Sequence, residues 1–312
     1  MPPPTPQTHV NDSIESIATT TWLIGRNLLL SRQPSSSPTQ PSWSDSNGQF
    51  FVLSPAPSPL PPTQPHQEDS TDLPRVYAAG DQSAVWRAGE AFIKIRGLEY
   101  PSVTREHVTL EFLRRRQPLG FEIPRVLYHG EWDGKYYQVL SRVPGMTLTE
   151  AWPAMDEELR QYYIGRVAEV CRELAEWKGE KVCGVDGRDL SEFYIARKEP
   201  ELDPTGMRES CVAMGMDVGE LVFYHCDLGP GNVIVDLETK GMGIIDWEIA
   251  GYVPREWVRT KFHVSSGMDF PNVKDEDARS DWRRFVARKL DAMGFVEVID
   301  GFVAARSAWR AK

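Results

Sequence analysis

Three polar side chains concentrate the chemistry open to this sequence: Asp227, Asn232 and Asp246, all within the stretch Phe223 to Glu248, FYHCDLGPGNVIVDLETKGMGIIDWE. His225-Cys226-Asp227 opens a polar loop, and Asn232 stands five residues beyond Asp227 at the start of the apolar run Val233-Ile234-Val235. Glu238-Thr239-Lys240-Gly241 then reads as a turn, with Gly241 free to take the positive φ that closes a hairpin. Met242 to Ile245 runs back and ends in Asp246. Pairing the two strands about Thr239 sets Asn232 roughly opposite Asp246. An amide oxygen and a carboxylate converging beside a loop Asp make a hard-oxygen site suited to Mg²⁺ and phosphate. Asp227, the remaining carboxylate, is then placed to accept a proton from a nucleophile.

At these residues the sequence resembles the kinase superfamily, and within it the aminoglycoside phosphotransferase branch, with choline and other small-molecule kinases nearby. HCDLGPGN fits the pattern H-x-D-x-x-x-x-N, and IDWE stands where protein kinases carry D-F-G. The resemblance implies an α+β, bilobal protein-kinase-like fold, with a small antiparallel-sheet N-lobe and a mainly helical C-lobe. It implies ATP and Mg²⁺ as cofactors, Asp227 as the catalytic residue, Asn232 and Asp246 as metal ligands, and His225 as a brace for the loop. One departure stands out: Gly229 occupies the position two after Asp227 where protein kinases carry a Lys.

The elements that must position these groups begin near Pro74. Arg75 to Ala79 and Ala84 to Arg87 read as strands joined by Gly80-Asp81-Gln82-Ser83, and Gly89-Glu90 turns the chain into a third strand, Ala91 to Ile95. Gly80 and Ser83 are candidates to approach ATP phosphates through backbone N–H groups and a hydroxyl, although one glycine matches a glycine-rich loop poorly. Lys94 lies inside the apolar run A-F-I-K-I, where an ammonium needs an anion, and the run resembles the V-A-I-K of kinases. By that resemblance Lys94 contacts the α- and β-phosphates. Thr104, as N-cap, opens a helix with Glu106 in its first turn. The resemblance makes Glu106 the ion-pair partner that aims Lys94, with Glu111 as the competing candidate; E-H-V-T-L-E-F-L followed by I-P-R-V-L resembles fungal members of the family. Trp132-Asp133-Gly134-Lys135 is a hairpin turn, Tyr136 to Ser141 a strand, and Arg142 to Gly145 the crossover, with adenine expected against the backbone from Leu140 to Val143.

Past the crossover, Asp156 caps a long helix whose stripe Tyr163, Val167, Val170, Leu174 and Trp177 belongs in a core. Beyond Asp246 the chain reaches Gly251 to Trp257 at once, leaving no room for the long activation segment with which protein kinases bind peptides. Asp281 to Met293 and Ile299 to Trp309 read as two amphipathic helices, either walling an acceptor pocket or completing the core. The expected boundaries are therefore a Pro/Ser-rich extension over 1–74, an N-lobe over 75–143 and a C-lobe over 144–312.

Fourteen of the 24 prolines fall within residues 1–74, among Ser, Thr and Gln, which predicts a largely disordered and dispensable extension. Two islands within it, Asn11 to Leu30 with a loose helical pattern and Gln49 to Leu53 as a short strand, are candidates for local order. A formal charge of −10 argues against nucleic acid as a partner. No run is apolar and long enough to span a membrane, and four cysteines without a C-x-x-C pair point to reduced thiols in a cytoplasmic protein. The function these features imply is transfer of the γ-phosphoryl group of ATP to a hydroxyl of a small molecule: aminoglycoside-like, choline-like or another hydroxylated metabolite. A non-catalytic nucleotide-binding module is the alternative, and a protein kinase the more remote one.

Overall fold

Most prolines of the first 74 residues lie apart from their apolar runs, with Pro55 and Pro65 at strand ends, and that pattern shapes the local structure. The structure, a computed structural model, describes residues 9–67, 70–197, 201–271 and 275–311. The stretch forms β1 (Ile14–Ala18), β2 (Thr21–Ile24), β3 (Leu28–Gln33), β4 (Ser42–Ser44), β5 (Phe50–Pro55) and the exposed β6 (Gln64–Pro65), one antiparallel six-stranded sheet in the order β4-β5-β3-β2-β1-β6. Pro34, Pro38, Pro57, Pro59 and Pro61 lie between strands, where a missing N–H removes no ladder bond. The disorder expected of residues 1–74 is therefore corrected, as is the helical reading of Asn11 to Leu30. Average composition conceals short runs that can each bury one face. Residues 1–8 and 68–69 of that stretch lie outside the described residues.

A second sheet follows, from β7 (Arg75–Ala79), β8 (Ser83–Ala88), β9 (Ala91–Gly97), β10 (Val126–Trp132) and β11 (Lys135–Ser141), in the order β10-β11-β9-β8-β7. Asp133 and Gly134 join β10 to β11 with φ of 50° and 66°, the two-residue turn whose twist matches its strands. The two sheets share one core. Trp22, Ile24, Leu30, Trp43 and Phe51 of the first pack with Trp86, Ile93, Ile95, Tyr137 and Val139 of the second. Trp43 Nε1 donates to Ala88 O at 2.6 Å and Trp132 Nε1 to Gly25 O at 2.9 Å, stitching the sheets through indole groups. Gly25, at φ +53°, sits so close beneath Tyr137 and Trp132 that any Cβ would collide with them.

Strand alternation then assigns the opposite face. Ala84, Trp86, Ile93, Ile95, Tyr137 and Val139 face the shared core, so their alternates point away from it. Register places Tyr77 beside Val85, Val85 beside Lys94 and Lys94 beside Gln138, a single row across β7, β8, β9 and β11.

The chain divides into two compact units, residues 1–101 with 124–142, and residues 102–123 with 143–312. The first holds both sheets just described. The second contains α1 (Glu106–Arg114), β12 (Met146–Thr147), α2 (Leu148–Ala151), α3 (Glu157–Leu174), β13 (Lys178–Gly179), α4 (Pro204–Ala213) and β14 (Leu221–His225). It continues with β15 (Val233–Val235), β16 (Met242–Ile244), β17 (Ala250–Pro254), α5 (Arg255–Val264), α6 (Glu276–Ala292) and α7 (Ile299–Arg310). Two three-stranded sheets, β12-β15-β16 and β13-β14-β17, complete it. This is an α+β fold with one strand-built and one mainly helical lobe. The helix at Glu106, expected in a lobe over 75–143, groups with the second unit instead.

Capping explains several helix starts. The Asp156 carboxylate accepts from Leu159 N at 2.8 Å, and Thr147 with Glu150 forms a reciprocal capping box on α2. Thr104 does not cap α1. The residue before the helix is Arg105, and the Thr104 hydroxyl donates to Asp186 Oδ1 at 2.5 Å, drawn off by a carboxylate on a distant loop. Tyr163, Val167, Val170 and Leu174 of α3 are fully buried, as the stripe requires, whereas Trp177 falls past the end of the helix and is only half-buried. Cys171, Cys183, Cys211 and Cys226 are free thiols, all buried and all in the second unit. Burial raises the Cys211 thiol to about 12, and raises Cys171 and Cys226 as well. Among the described residues no helix is long and apolar enough to cross a membrane.

Candidate active site

The loop after β14 is held from beneath by a buried histidine. His225 is fully buried, its Nδ1 accepting from Asp227 N at 3.2 Å and its Nε2 meeting Ile245 O at 3.0 Å. An acceptor at Nδ1 and a carbonyl at Nε2 together require the neutral tautomer with hydrogen on Nε2. Burial lowers its pKa, more strongly than the nearby Asp227 and Asp246 raise it. The edge of the ring packs on Trp247, 4.6 Å between centroids.

From this base Asp227 projects, half-buried, and Asn232 closes on it. Asn232 Nδ2 donates to Asp227 O at 2.8 Å and to Oδ2 at 3.1 Å. Gly229 N also donates to Asp227 O, at 2.8 Å, and Asn232 N to Gly229 O at 3.0 Å, so the loop folds tightly over its own carbonyls. A Cβ on Gly229 would lie 3.2 Å from Met268 Cα, a tight approach that asks the neighbouring backbone to give by a few tenths of an ångström.

The hairpin carrying Asp246 differs by one residue from the expected register. Val233 faces Ile244 and Val235 faces Met242, which puts Asn232 opposite Ile245, whose N–H reaches Asn232 O at 3.0 Å. The positive φ falls on Lys240 at 57°, not on Gly241, because the Asp236 carboxylate accepts from Glu238 N at 2.9 Å and Thr239 N at 3.3 Å and organises the turn earlier. Asp246 therefore lies one step past the paired strand, in a left-handed conformation of φ 63° and ψ 58°. That conformation is uncommon outside glycine, with Asp and Asn the best adapted to it.

The left-handed residue turns the chain back on itself and brings a further acid into play. Oxygens of Glu106, Asp246 and Glu248 lie within 4.8 Å of one another. Glu106, 2 % exposed, also accepts from Trp247 N at 3.0 Å, which fixes the first turn of α1 to the segment after Asp246. Glu248 was not singled out from the sequence; the only available signal was its place at the end of I-D-W-E. The donor chemistry fits a hard divalent cation. With Nδ2 of Asn232 taken up by Asp227, its amide oxygen is the atom left for a metal, alongside the Asp246 carboxylate.

Of the remaining predicted residues, Lys94 sits half-buried in β9 on the face turned from the shared core. Gly80 is exposed in the β7–β8 turn at φ 51°, and its carbonyl accepts from Asn11 Nδ2 at 3.3 Å. Ser83 opens β8 opposite Ala79. Leu140 is buried near the end of β11, and Val143 is buried against Gly243, where a Cβ would collide with it. Glu111 is half-buried and ion-pairs with Arg115 at 3.7 Å.

Comparison with known proteins gives this arrangement a lineage. The model of the Phosphotransferase enzyme family matches residues 74–257. An aminoglycoside 3'-phosphotransferase of Streptomyces ribosidificus is 28% identical over 151 residues, 44% of this chain and 55% of the relative. One from Streptomyces fradiae is 31% identical over 153 residues, 44% of this chain and 54% of the relative. The chain thus spans about half the length of the curated relatives it matches. Among solved structures, aminoglycoside phosphotransferase APH(3'')-Id of Streptomyces rimosus is similar at a TM-score of 0.48 and 19% identity, covering 75% of this chain and 94% of that one. The family match covers more than half of the 312 residues and takes in the loop, the hairpin and the Lys94 strand: the chain belongs to the phosphotransferase enzyme family.

Proposed function

We propose that this protein transfers the γ-phosphoryl group of ATP to a hydroxyl of a small molecule. The observation that carries this reading is the pairing of Asp227 with Asn232 on a loop braced by His225, beside the left-handed Asp246. Phosphoryl transfer asks for in-line placement and charge neutralisation more than for covalent help. Mg²⁺, when bound, would neutralise charge on the phosphate oxygens. Asp246 and the Asn232 amide oxygen are the groups to hold it. Lys94 contacts the α- and β-phosphates, and Glu106 is its ion-pair partner. Gly80 and Ser83 approach the phosphates from their turn, and backbone from Leu140 to Val143 receives the adenine.

Asp227 receives the acceptor hydroxyl. The Asn232 Nδ2–H that binds Oδ2 fixes the carboxylate plane, so that one oxygen is oriented by the protein and the other is left for the hydroxyl proton. Members of the matched family act on aminoglycosides by the names of the relatives above, and an aminoglycoside or another hydroxylated, cationic metabolite suits a chain of net charge −10. Only three residues separate Asp246 from β17 (Ala250–Pro254), which passes directly into α5. That short path supports a small acceptor over an extended peptide.

The test is ATP consumption with Mg²⁺ across a panel of aminoglycosides, choline-like alcohols and other hydroxylated metabolites. Turnover with one acceptor class, lost in Asp227→Asn, is the expected result. Binding of ATP with no turnover on any acceptor would favour a nucleotide-binding module.

A further inference from the structure

Gln138 stands in the middle of β11 and is fully buried, yet neither its Oε1 nor its Nε2 has a hydrogen-bond partner among the described residues. Buried amides are normally satisfied, and one left with both ends unpaired is costly to fold around. An apolar side chain of the same length would remove that cost, so the amide calls for a reason outside the packing of the free protein. Its position supplies one. Gln138 is directly opposite Lys94 in the β9–β11 register, on the face turned from the shared core. Directly paired residues hold their Cβ atoms about 5 Å apart, within mutual reach of two long side chains. On its other side Lys94 is paired with Val85, which offers no polar group.

We propose that Gln138 is a positioning residue for Lys94 in the nucleotide-loaded site. Its Oε1 accepts one ammonium proton of Lys94 and so directs the remaining Nζ donors to the phosphates. Its NH₂ group then donates to a phosphate oxygen held by that ammonium. An amide is suited to this place because it serves a cation and an anion at once, as neither Met nor Glu can. The proposal rests on the reading of Lys94 as a phosphate ligand.

The experiment compares Gln138→Met, Lys94→Met and the double variant with the parent in the full-length protein. Mg-ATP affinity is read by calorimetry, and thermal stability without nucleotide is read alongside. Gln138→Met is expected to leave the nucleotide-free Tm unchanged or higher, because it deletes two unsatisfied groups. Mg-ATP affinity should fall about ten- to a hundredfold, the scale of one lost hydrogen bond to a charged group. In the Lys94→Met background the same substitution should cost clearly less, leaving only what the direct amide–phosphate hydrogen bond retains. Unchanged Mg-ATP affinity in Gln138→Met overturns the proposal and leaves the amide a core residue. A loss of equal size with and without Lys94 also overturns it, since Gln138 would then act on the nucleotide alone. A parent that binds no nucleotide brings down the phosphotransfer reading itself, and the proposal with it, an outcome told apart because the parent is measured first.

Discussion

His225 and Asp227 are joined through the backbone, not through their side chains: the Asp227 N–H donates to Nδ1 of His225 at 3.2 Å while Nε2 reaches across to Ile245 O at 3.0 Å. The histidine thus ties the loop to the hairpin, with both ring nitrogens engaged by backbone. Because its native pKa is lowered from an ordinary 6.5, the unfolded chain takes up a proton that the native ring refuses. Stability from this group is therefore full above about pH 6.5 and is lost as pH falls below it. Thermal unfolding between pH 5 and 8 should show a shallower acid loss in His225→Gln than in the parent. His263, whose pKa burial also lowers, contributes a slope common to both. Parallel pH profiles would show that His225 titrates normally in the fold.

Asp227→Asn should fold normally and bind Mg-ATP within a few-fold of the parent. Replacing a general base typically costs about 10²–10⁴ in rate, and turnover of an identified acceptor should fall accordingly. Retained turnover would remove Asp227 from the chemistry.

Asp246 calls for a substitution that respects its backbone. Asp246→Asn keeps a residue tolerant of the left-handed conformation while removing the charge, whereas Ala would add strain. The Mg²⁺ concentration needed for half-maximal ATP binding should rise at least tenfold in Asp246→Asn, measured by titration at fixed nucleotide. An unchanged requirement would place the metal elsewhere.

The N-terminal sheet should prove essential to the first unit. Trp22, 2 % exposed, lies within the shared core, and Trp22→Ala should cost about 3–5 kcal/mol in chemical denaturation. Deleting residues 1–67 would uncover Trp86, Ile93 and Tyr137 together, and aggregation or loss of cooperative unfolding is the expected result. A soluble, cooperatively folding truncation would contradict the common core.

Behind the loop that carries Asp227, Lys261 Nζ lies 2.7 and 2.9 Å from the carboxylate oxygens of Glu192, both residues nearly inaccessible to solvent. Glu192→Gln leaves the ammonium buried without its counter-charge and should destabilise by about 3–5 kcal/mol. Lys261→Met together with Glu192→Leu should recover much of that loss in the same denaturation assay. Failure of the double variant to recover would assign the pair a role beyond mutual neutralisation.

The site was more legible in the sequence than the lobe that accompanies it. Asp227, Asn232 and Asp246 stand out because loop and hairpin are local: their spacing along the chain nearly fixes their spacing in space. What the spacing missed is equally local. A carboxylate at Asp236 moved the turn forward, the positive φ passed to Lys240, and the register shifted by one. Glu248 escaped notice because its approach to Glu106 depends on the left-handed turn at Asp246 and on a helix far back in the chain. The N-terminal sheet was illegible for a different reason. Its strands are short, and the apolar faces of Trp22, Leu30 and Phe51 become meaningful only against Trp86 and Ile93, which follow later in the sequence. The amide of Gln138 carried no signal at all until register placed it beside Lys94.

The four cysteines give the second unit an internal reporter. Each thiol is buried and unoxidised, so a thiol reagent added to the native protein reacts only when the surrounding structure opens. Cys226 adjoins Asp227 in the chain, and Cys171 lies in α3. Their alkylation rates, followed residue by residue by mass spectrometry, would time the breathing of the Asp227 loop against that of the helical core. The first unit, which has no cysteine, would remain silent in the same experiment.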